Sequence, residues 1–314
     1  MQAQSIAVGI VINQHQQVLI SKRRASQHLS GCWEFPGGKV EKDESFKSAM
    51  RRELLEEIGI CVETAIKLVD IQHSYQDRQL HLQFFKVLKF SGEVSACENQ
   101  LVRWVELDEL KTIQFPPANQ TVIDTLILPT RYMIADENFF KKSLASSVRK
   151  QLERGVRIIQ HRAIESISKQ AYLNNAVVLK EMCDAYNAYY VINCPFEWLD
   201  DIESNYIHLT SKLLRERYSS KDSLLNRELF SVSCHDEDEV NMANELNARC
   251  VLIGAVNRTN SHPNRKALGW KRFSQMCFYS NAPVYALGGM SFDDHQYALL
   301  HGAQGIAAIR AFAV

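Results

Sequence analysis

The sequence predicts an α/β protein in two domains, a mixed sheet with helices on its faces over residues 1–130 and a compact (β/α)8 TIM barrel over residues 131–314. Three observations carry that reading. In the first part, strand-like apolar runs surround one amphipathic helix. At Leu128-Pro129-Thr130-Arg131 a helical stretch stops and the rhythm changes. Beyond it, eight short apolar runs alternate with longer helical stretches, the pattern of a barrel whose parallel strands are linked by helices.

The runs of the first domain are 5–12, 17–23, 80–88 and 102–105. Between the second and third of these, Phe46, Ala49, Met50, Leu54 and Ile58 recur at helical spacing, which predicts a helix packed on a core. Glu53, Glu56 and Glu57 stand at i, i+3 and i+4, so their side chains share one surface. Such carboxylates repel unless a cation sits among them. It is either an Arg or Lys, as on an ordinary solvated helix, or a hard divalent ion such as Mg2+ that arrives with a phosphorylated substrate. Pro36-Gly37-Gly38 in front lets the backbone approach an ion or ligand closely, and Gly59 behind is a natural C-cap. A helix over about 119–128 closes the domain, with Asn119 suited to its N-cap. In the second domain the strands are expected at 132–135, 156–160, 188–192, 206–209, 229–232, 250–253, 284–287 and 305–308. Functional groups of such a barrel sit in loops after the strand ends, where Gln160, Arg162, Asn193, His208, Ser233, His235, Gly254, Gly288 and Gly289 fall.

Whole-chain numbers bound the function. At 314 residues the chain can build two cores without disulfides. Lys plus Arg and Asp plus Glu both number 36, and no Lys/Arg-dense arm interleaves with aromatics. That argues against a polymeric nucleic-acid partner and leaves a free nucleotide as the fitting ligand. No apolar run approaches the ~18 residues that would cross a membrane, and no secretory leader is recognisable. The 8 cysteines include no Cys-x-x-Cys pair, so reduced thiols in a cytoplasmic protein are expected. Cys234-His235 is the one place where a Cys adjoins a His, a weak signal for a nucleophile or a ligand.

The pattern Gly-x5-Glu-x7-Arg-Glu-U-x-Glu-Glu-x-Gly-U, with U aliphatic, is met at every fixed position by Gly38, Glu44, Arg52, Glu53, Leu54, Glu56, Glu57, Gly59 and Ile60. It is identified as a Nudix box. The resemblance implies an α/β/α sandwich and a hydrolase of nucleoside diphosphates linked to another group, working with Mg2+ or Mn2+. It implies Glu53, Glu56 and Glu57 as metal ligands, Glu53 also as general base, a Gly37 or Gly38 carbonyl completing the site, and Glu44 with Arg52 as a structural pair. The flanking runs 6–12, Lys22-Arg23-Arg24, Trp33-Glu34-Phe35-Pro36-Gly37-Gly38 and Phe115-Pro116-Pro117-Ala118-Asn119 resemble the MutT subgroup. Those enzymes hydrolyse 8-oxo-dGTP to 8-oxo-dGMP and pyrophosphate, cleansing the nucleotide pool for DNA replication and repair. By that resemblance Asn119 reads the oxidised purine, Arg23 meets phosphate, Phe35 and Arg78 wall the base pocket, and Glu98 is a further metal ligand or base.

The stretches Gln160-His161-Arg162, His208-Leu209, Ser231-Val232-Ser233-Cys234-His235, Gly254-Ala255-Val256, Ala286-Leu287-Gly288-Gly289 and Gly302-Ala303-Gln304-Gly305-Ile306 together resemble the thiamine phosphate synthase family, TenI-like members included. The resemblance implies a ligand site at Gln160, Arg162, His208, Ser233, His235, Gly288 and Gly289, with the two glycines forming a phosphate cup or a plain tight turn. It also implies a thiamine-related phosphate ligand. The chain departs from the family where the chemistry should be: Cys194 and Pro195 replace a metal-binding Asp and its Arg, Lys212 or Leu213 an acid, Ile164 a base, and Arg310 a small residue. The barrel is therefore expected to have lost the synthase reaction. Two alternatives stand beside 8-oxo-dGTP hydrolysis: Nudix chemistry on a thiamine-pathway diphosphate, or a barrel that only binds a ligand.

Overall fold

The computed structural model describes residues 4–23, 29–74, 79–220, 228–259 and 267–313, and the chain divides into two compact units, Met1–Ile127 and Leu128–Val314. In the first unit the order is β1 (Gln4–Val11), β2 (Gln17–Lys22), β3 (Trp33–Glu34), β4 (Gly37–Lys39), α1 (Phe46–Ile58), β5 (Cys61–Ser74), β6 (Gln79–Ser91), β7 (Val102–Glu106) and α2 (Gln120–Ile127). One sheet runs β4-β1-β6-β5, with β1 and β6 parallel and the outer pairs antiparallel; a second, antiparallel, runs β3-β2-β7.

β1 is central, and its buried run Ala7–Val11 explains why it reads as unbroken apolar sequence. Ala7 and Val11 join the core that holds Ala49, Met50, Leu54 and Ile58 of α1, whereas Val8 and Ile10 join the core that holds Val122 and Ile123 of α2. The two helices thus cover opposite faces of the sheet, the expected α/β/α sandwich. A Cβ at Gly9 would run into Leu54, so α1 packs directly on the backbone of β1.

The second unit is a closed barrel of parallel strands in the order β10-β11-β12-β13-β14-β15-β8-β9. Its elements are β8 (Arg131–Asp136), α3 (Glu137–Phe140), α4 (Leu144–Glu153), β9 (Ile158–Arg162), α5 (Lys169–Ala185), β10 (Tyr189–Asn193), β11 (Tyr206–Leu209), α6 (Ser211–Ser220), β12 (Glu228–Cys234), α7 (Glu237–Glu245), β13 (Cys250–Gly254), α8 (Gly269–Tyr279), β14 (Val284–Leu287), α9 (Asp294–Leu300) and β15 (Gly305–Ala308). All eight strands lie where the apolar runs place them. The barrel stays small because only a 3-10 turn, Phe196–Asp201, links β10 to β11. Tyr132, Ile158, Val191, Phe230, Leu252 and Tyr285 fill its interior, while alternate residues such as Met133, Ile159, Ile192 and Ile253 pack outward under the helices. All eight cysteines are free, and no helix among the described residues is long and apolar enough to cross a membrane.

Candidate functional site

The acidic site of the first unit is assembled by α1 and the segments at its two ends. Ser45 caps the helix, its Oγ accepting the Ser48 amide at 3.1 Å, and Gly59 ends it in the left-handed conformation at φ 72°. Ahead of the helix, Gly37 and Gly38 pair with Val8 and Ala7 of β1. A Cβ at Gly37 would strike the Ala7 carbonyl, and one at Gly38 would strike the Glu53 carboxylate. The glycines are there because backbone and carboxylate need that space. The Gly37 amide donates to Glu57 Oε2 at 3.0 Å.

Behind the helix, the loop that carries Glu98 docks on the last turn. The Ser95 amide donates to the Ile58 carbonyl at 3.1 Å, and both the Cys97 amide and the Gln100 side chain donate to the Glu57 carbonyl, at 3.0 and 2.9 Å. Gln100 Oε1 in turn accepts the Glu98 amide at 3.1 Å. Helix-end carbonyls without intrahelical partners are thereby satisfied, and Glu98 is brought into electrostatic range of Glu53 and Glu57.

Arg52 is the cation among these acids. Its guanidinium takes Glu44 through Nε and Nη2 at 3.2 and 3.0 Å, and reaches Glu53 at 2.9 Å and Glu56 at 3.2 Å through Nη1. Hydrogen bonding to Arg52 holds the Glu44 carboxyl below its ordinary range. Glu57 has no such partner, and burial, with the charges of Glu34, Glu53 and Glu98 adding to it against the Gly37 amide, pushes it up to about 8. Burial also raises Glu53, against Arg52. Among the described residues, no three His, Cys, Asp or Glu side chains are drawn together as a metal would hold them. The acids ring the site without converging. A hard divalent cation fits this donor set of carboxylate and backbone oxygens, because its charge would offset the burial and the neighbouring acids that raise Glu57.

Glu34, which the sequence reading passed over inside the stretch 33–38, belongs to the ring. It pairs with Arg23, and burial raises its pKa against that partner. Gln100 was likewise missed, as a lone polar residue in a loop carries no periodic signal. Phe35 is 2% exposed and stacks on Phe115 at 5.3 Å, so Phe115, half-buried, is the more accessible of the two rings. Asn119 is buried and directly precedes α2, but it does so as the last residue of a 3-10 turn over Pro117–Asn119, with Pro116 at the N-cap position of that turn. Arg78 lies outside the described residues.

The barrel holds a second polar constellation. Asn193 donates to Gln160 and Gln160 to the Tyr132 hydroxyl, both at 3.0 Å. Ser231 links Tyr132 and His208, each at 2.8 Å, and His208 continues to Ser233 at 3.0 Å. Gln160, Asn193, His208 and Ser233 therefore lie within strands facing the interior, a correction to their expected place in loops. Burial, helped by the Arg162 charge, drives His208 down to about 3, so it is neutral. Arg162 stands 3.5 Å from Asp136 at the strand ends. The His235 ring donates to the Gly254 carbonyl at 2.5 Å. Burial pushes the Cys234 thiol up, and it packs in the outer core, which leaves it no nucleophilic role. Gly288 and Gly289 both take positive φ and back onto residues 255–258, so the tight turn alone requires glycine at each. Cys194 points into the outer core and Lys212 is exposed, 3.9 Å from Glu216. Neither supplies a carboxylate for a divalent ion.

Comparison with known proteins divides the chain at the same place. Residues 7–125 match the NUDIX domain and residues 131–312 match thiamine monophosphate synthase. The 8-oxo-dGTP diphosphatase of Escherichia coli (strain K12) is 38% identical over 121 residues, covering 38% of this chain and 94% of the relative. A putative thiamine-phosphate synthase 2 of Aquifex aeolicus (strain VF5) is 26% identical over 189 residues, 59% of this chain and 98% of the relative. The thiamine phosphate pyrophosphorylase of Pyrococcus furiosus superposes with a TM-score of 0.50 at 21% identity, over 62% of this chain and 89% of that one, which bears on the fold alone.

Proposed function

The chain belongs to the Nudix hydrolases through its first unit and to the thiamine monophosphate synthase family through its second, and from that premise we propose that the first unit hydrolyses 8-oxo-dGTP to 8-oxo-dGMP and pyrophosphate. Hydrolysis of a nucleotide's diphosphate linkage follows from family membership. What supports 8-oxo-dGTP is the set of Glu53, Glu57 and Glu98 built around Gly37 and Gly38, with Phe35 just ahead of those glycines stacked on Phe115, in a chain similar to an 8-oxo-dGTP diphosphatase.

Glu53, Glu56, Glu57 and Glu98, with a Gly37 or Gly38 carbonyl, would hold Mg2+, which Mn2+ can replace. Bound there, the ion screens phosphate charge and acidifies water. The chain's own residues do the rest. Glu53, resting on the Gly38 backbone and oriented by Arg52, takes the proton of the attacking water as it adds to phosphorus, and Glu98 is the competing candidate for that base. The phosphorus–oxygen bond to pyrophosphate breaks as the new one forms. Arg23 binds a phosphate and Asn119 reads the base by donating and accepting through one amide. The free nucleotide pool places this reaction in the cytoplasm.

The barrel serves as a ligand-binding module for a thiamine-related phosphate, with Gln160, Arg162, His208, Ser233, His235, Gly288 and Gly289 around it. Cys194 and Lys212 stand where the resemblance implies acids, which leaves binding without synthase turnover. Hydrolysis of a thiamine-pathway diphosphate by the first unit is the second reading, favoured by the identity of its fused partner. Steady-state kinetics with Mg2+ on 8-oxo-dGTP, dGTP and the thiamine pyrimidine diphosphate test the choice: a preference for the pyrimidine compound would overturn the first reading.

A further inference from the structure

We propose that Gln100 is a positioning residue of the hydrolase, its side chain bridging the backbones of Glu57 and Glu98 so that Glu98 is presented to the acidic site from a fixed root. This rests on the reading of the first unit as a nucleotide hydrolase in which Glu98 is a metal ligand or base. A buried polar side chain on a short loop is where the case begins. Gln100 is only 7% exposed, and both ends of its amide are used. Its Nε2 donates to the Glu57 carbonyl at 2.9 Å, and its Oε1 accepts the Glu98 amide at 3.1 Å. One amide that donates and accepts can span two backbone groups in this way.

Loop geometry brings both backbones within reach of that side chain. Asn99 takes the left-handed conformation at φ 61°, a region Asn tolerates, and turns the chain back between Glu98 and Gln100. Past Gln100, the Leu101 carbonyl accepts the Lys22 amide at 2.8 Å, and Val102 opens β7. Ahead of Glu98, the Ser95 and Cys97 amides are bonded to the Ile58 and Glu57 carbonyls. The segment 95–101 is therefore held to the end of α1 on one side and to β2 on the other. Gln100 supplies the link at Glu98 itself.

Glu98 also has a reason to need that link. Its charge acts on both Glu53 and Glu57, helping to raise the carboxyl of each. An exposed acid repelled by two others turns away from them unless its backbone is fixed. A root held in advance also loses less freedom when a cation or a phosphate arrives. Residues that orient a ligating or catalytic group from behind typically change metal affinity or activity by roughly 10–100-fold when removed.

The test joins amide exchange to a kinetic cycle on the full chain. The variants are Gln100→Met, which keeps the length and removes both bonds, Glu98→Gln, and the Gln100→Met/Glu98→Gln double variant. Without metal or substrate, hydrogen–deuterium exchange at the Glu98 amide should quicken about tenfold in Gln100→Met, the scale of one lost hydrogen bond. Kinetics use whichever nucleoside triphosphate the wild type cleaves best, with Mg2+ titrated for each protein. Gln100→Met should lower kcat/KM roughly 10–100-fold. The loss should fall on the same quantity, kcat or half-saturating Mg2+, that Glu98→Gln alters. In the Glu98→Gln background it should add less than about twofold. Unchanged exchange at Glu98, wild-type kinetics in Gln100→Met, a loss on the other quantity, or losses that multiply in the double variant would each overturn the proposal. Should Gln100→Met not fold, Gln100→Asn, too short to span both backbones, goes through the same cycle. A wild type inert on every nucleoside triphosphate overturns the underlying reading as well; an active wild type with multiplying losses overturns the positioning role alone.

Discussion

At the level of single residues, what each acid of the site can do depends on whether Arg52 holds it. Glu53 rests on Gly38 and is held by Arg52, so Glu53→Gln removes the charge while keeping the shape. We expect kcat to fall by about two orders of magnitude or more, the scale of a lost general base, with the melting temperature near that of wild type. Glu57 is the member without an arginine partner, and burial raises it to about 8 against the Gly37 amide. A carboxyl whose folded pKa lies above its unfolded value of about 4.5 favours the folded state below that value, and the contribution fades as pH climbs through about 8. A divalent cation needs the ionised form. Added Mg2+ should therefore raise the melting temperature of the metal-free protein more at pH 8 than at pH 6, and thermal shifts at the two values check this. Asn119→Ala should lower kcat/KM for 8-oxo-dGTP more than for dGTP; equal losses would count against base reading. The box acids were legible because their spacing is fixed by one helix. Glu34 was not, because its pairing with Arg23 depends on a strand partner, and Gln100 acts through a loop contact that no local pattern encodes.

At the scale of the element, the sequence spoke most clearly where burial is two-sided. All eight barrel strands are short apolar runs because both their faces are covered, and β1 reads the same way for the same reason. The long strand β5 escaped notice. Its pairing with β6 slips between Val62 and Thr64, between Thr64 and Ala65, and between Lys67 and Val69, and each irregularity breaks the alternation that would announce a strand. Inside the barrel, polar residues within strands looked like loop residues, since sequence does not reveal that Gln160, Tyr132, Ser231 and His208 satisfy one another. Ser231→Val would leave the Tyr132 hydroxyl and His208 each short of a partner. A loss of about 1–3 kcal/mol of unfolding free energy is expected, measurable by urea titration of the barrel unit. Under α1, Leu54→Ala would open a cavity against Gly9 at a cost of about 2–5 kcal/mol.

At the scale of the molecule, each unit has a core of its own, and no residue of the acidic ring comes from the barrel. Residues 1–130 alone should accordingly keep the kcat/KM of the full chain, and collapse of that activity would mean that the barrel supports the site. The chain's even charge balance, with 36 basic and 36 acidic residues, suits a protein that meets its nucleotide through local geometry rather than a broad field. The most direct measurement is kcat/KM of the full chain with Mg2+ on 8-oxo-dGTP and on dGTP, wild type beside Glu53→Gln. A strong preference for the oxidised nucleotide, abolished by that one substitution in a protein that melts normally, is the predicted result. Equal turnover of both nucleotides, or activity that survives Glu53→Gln, would contradict it.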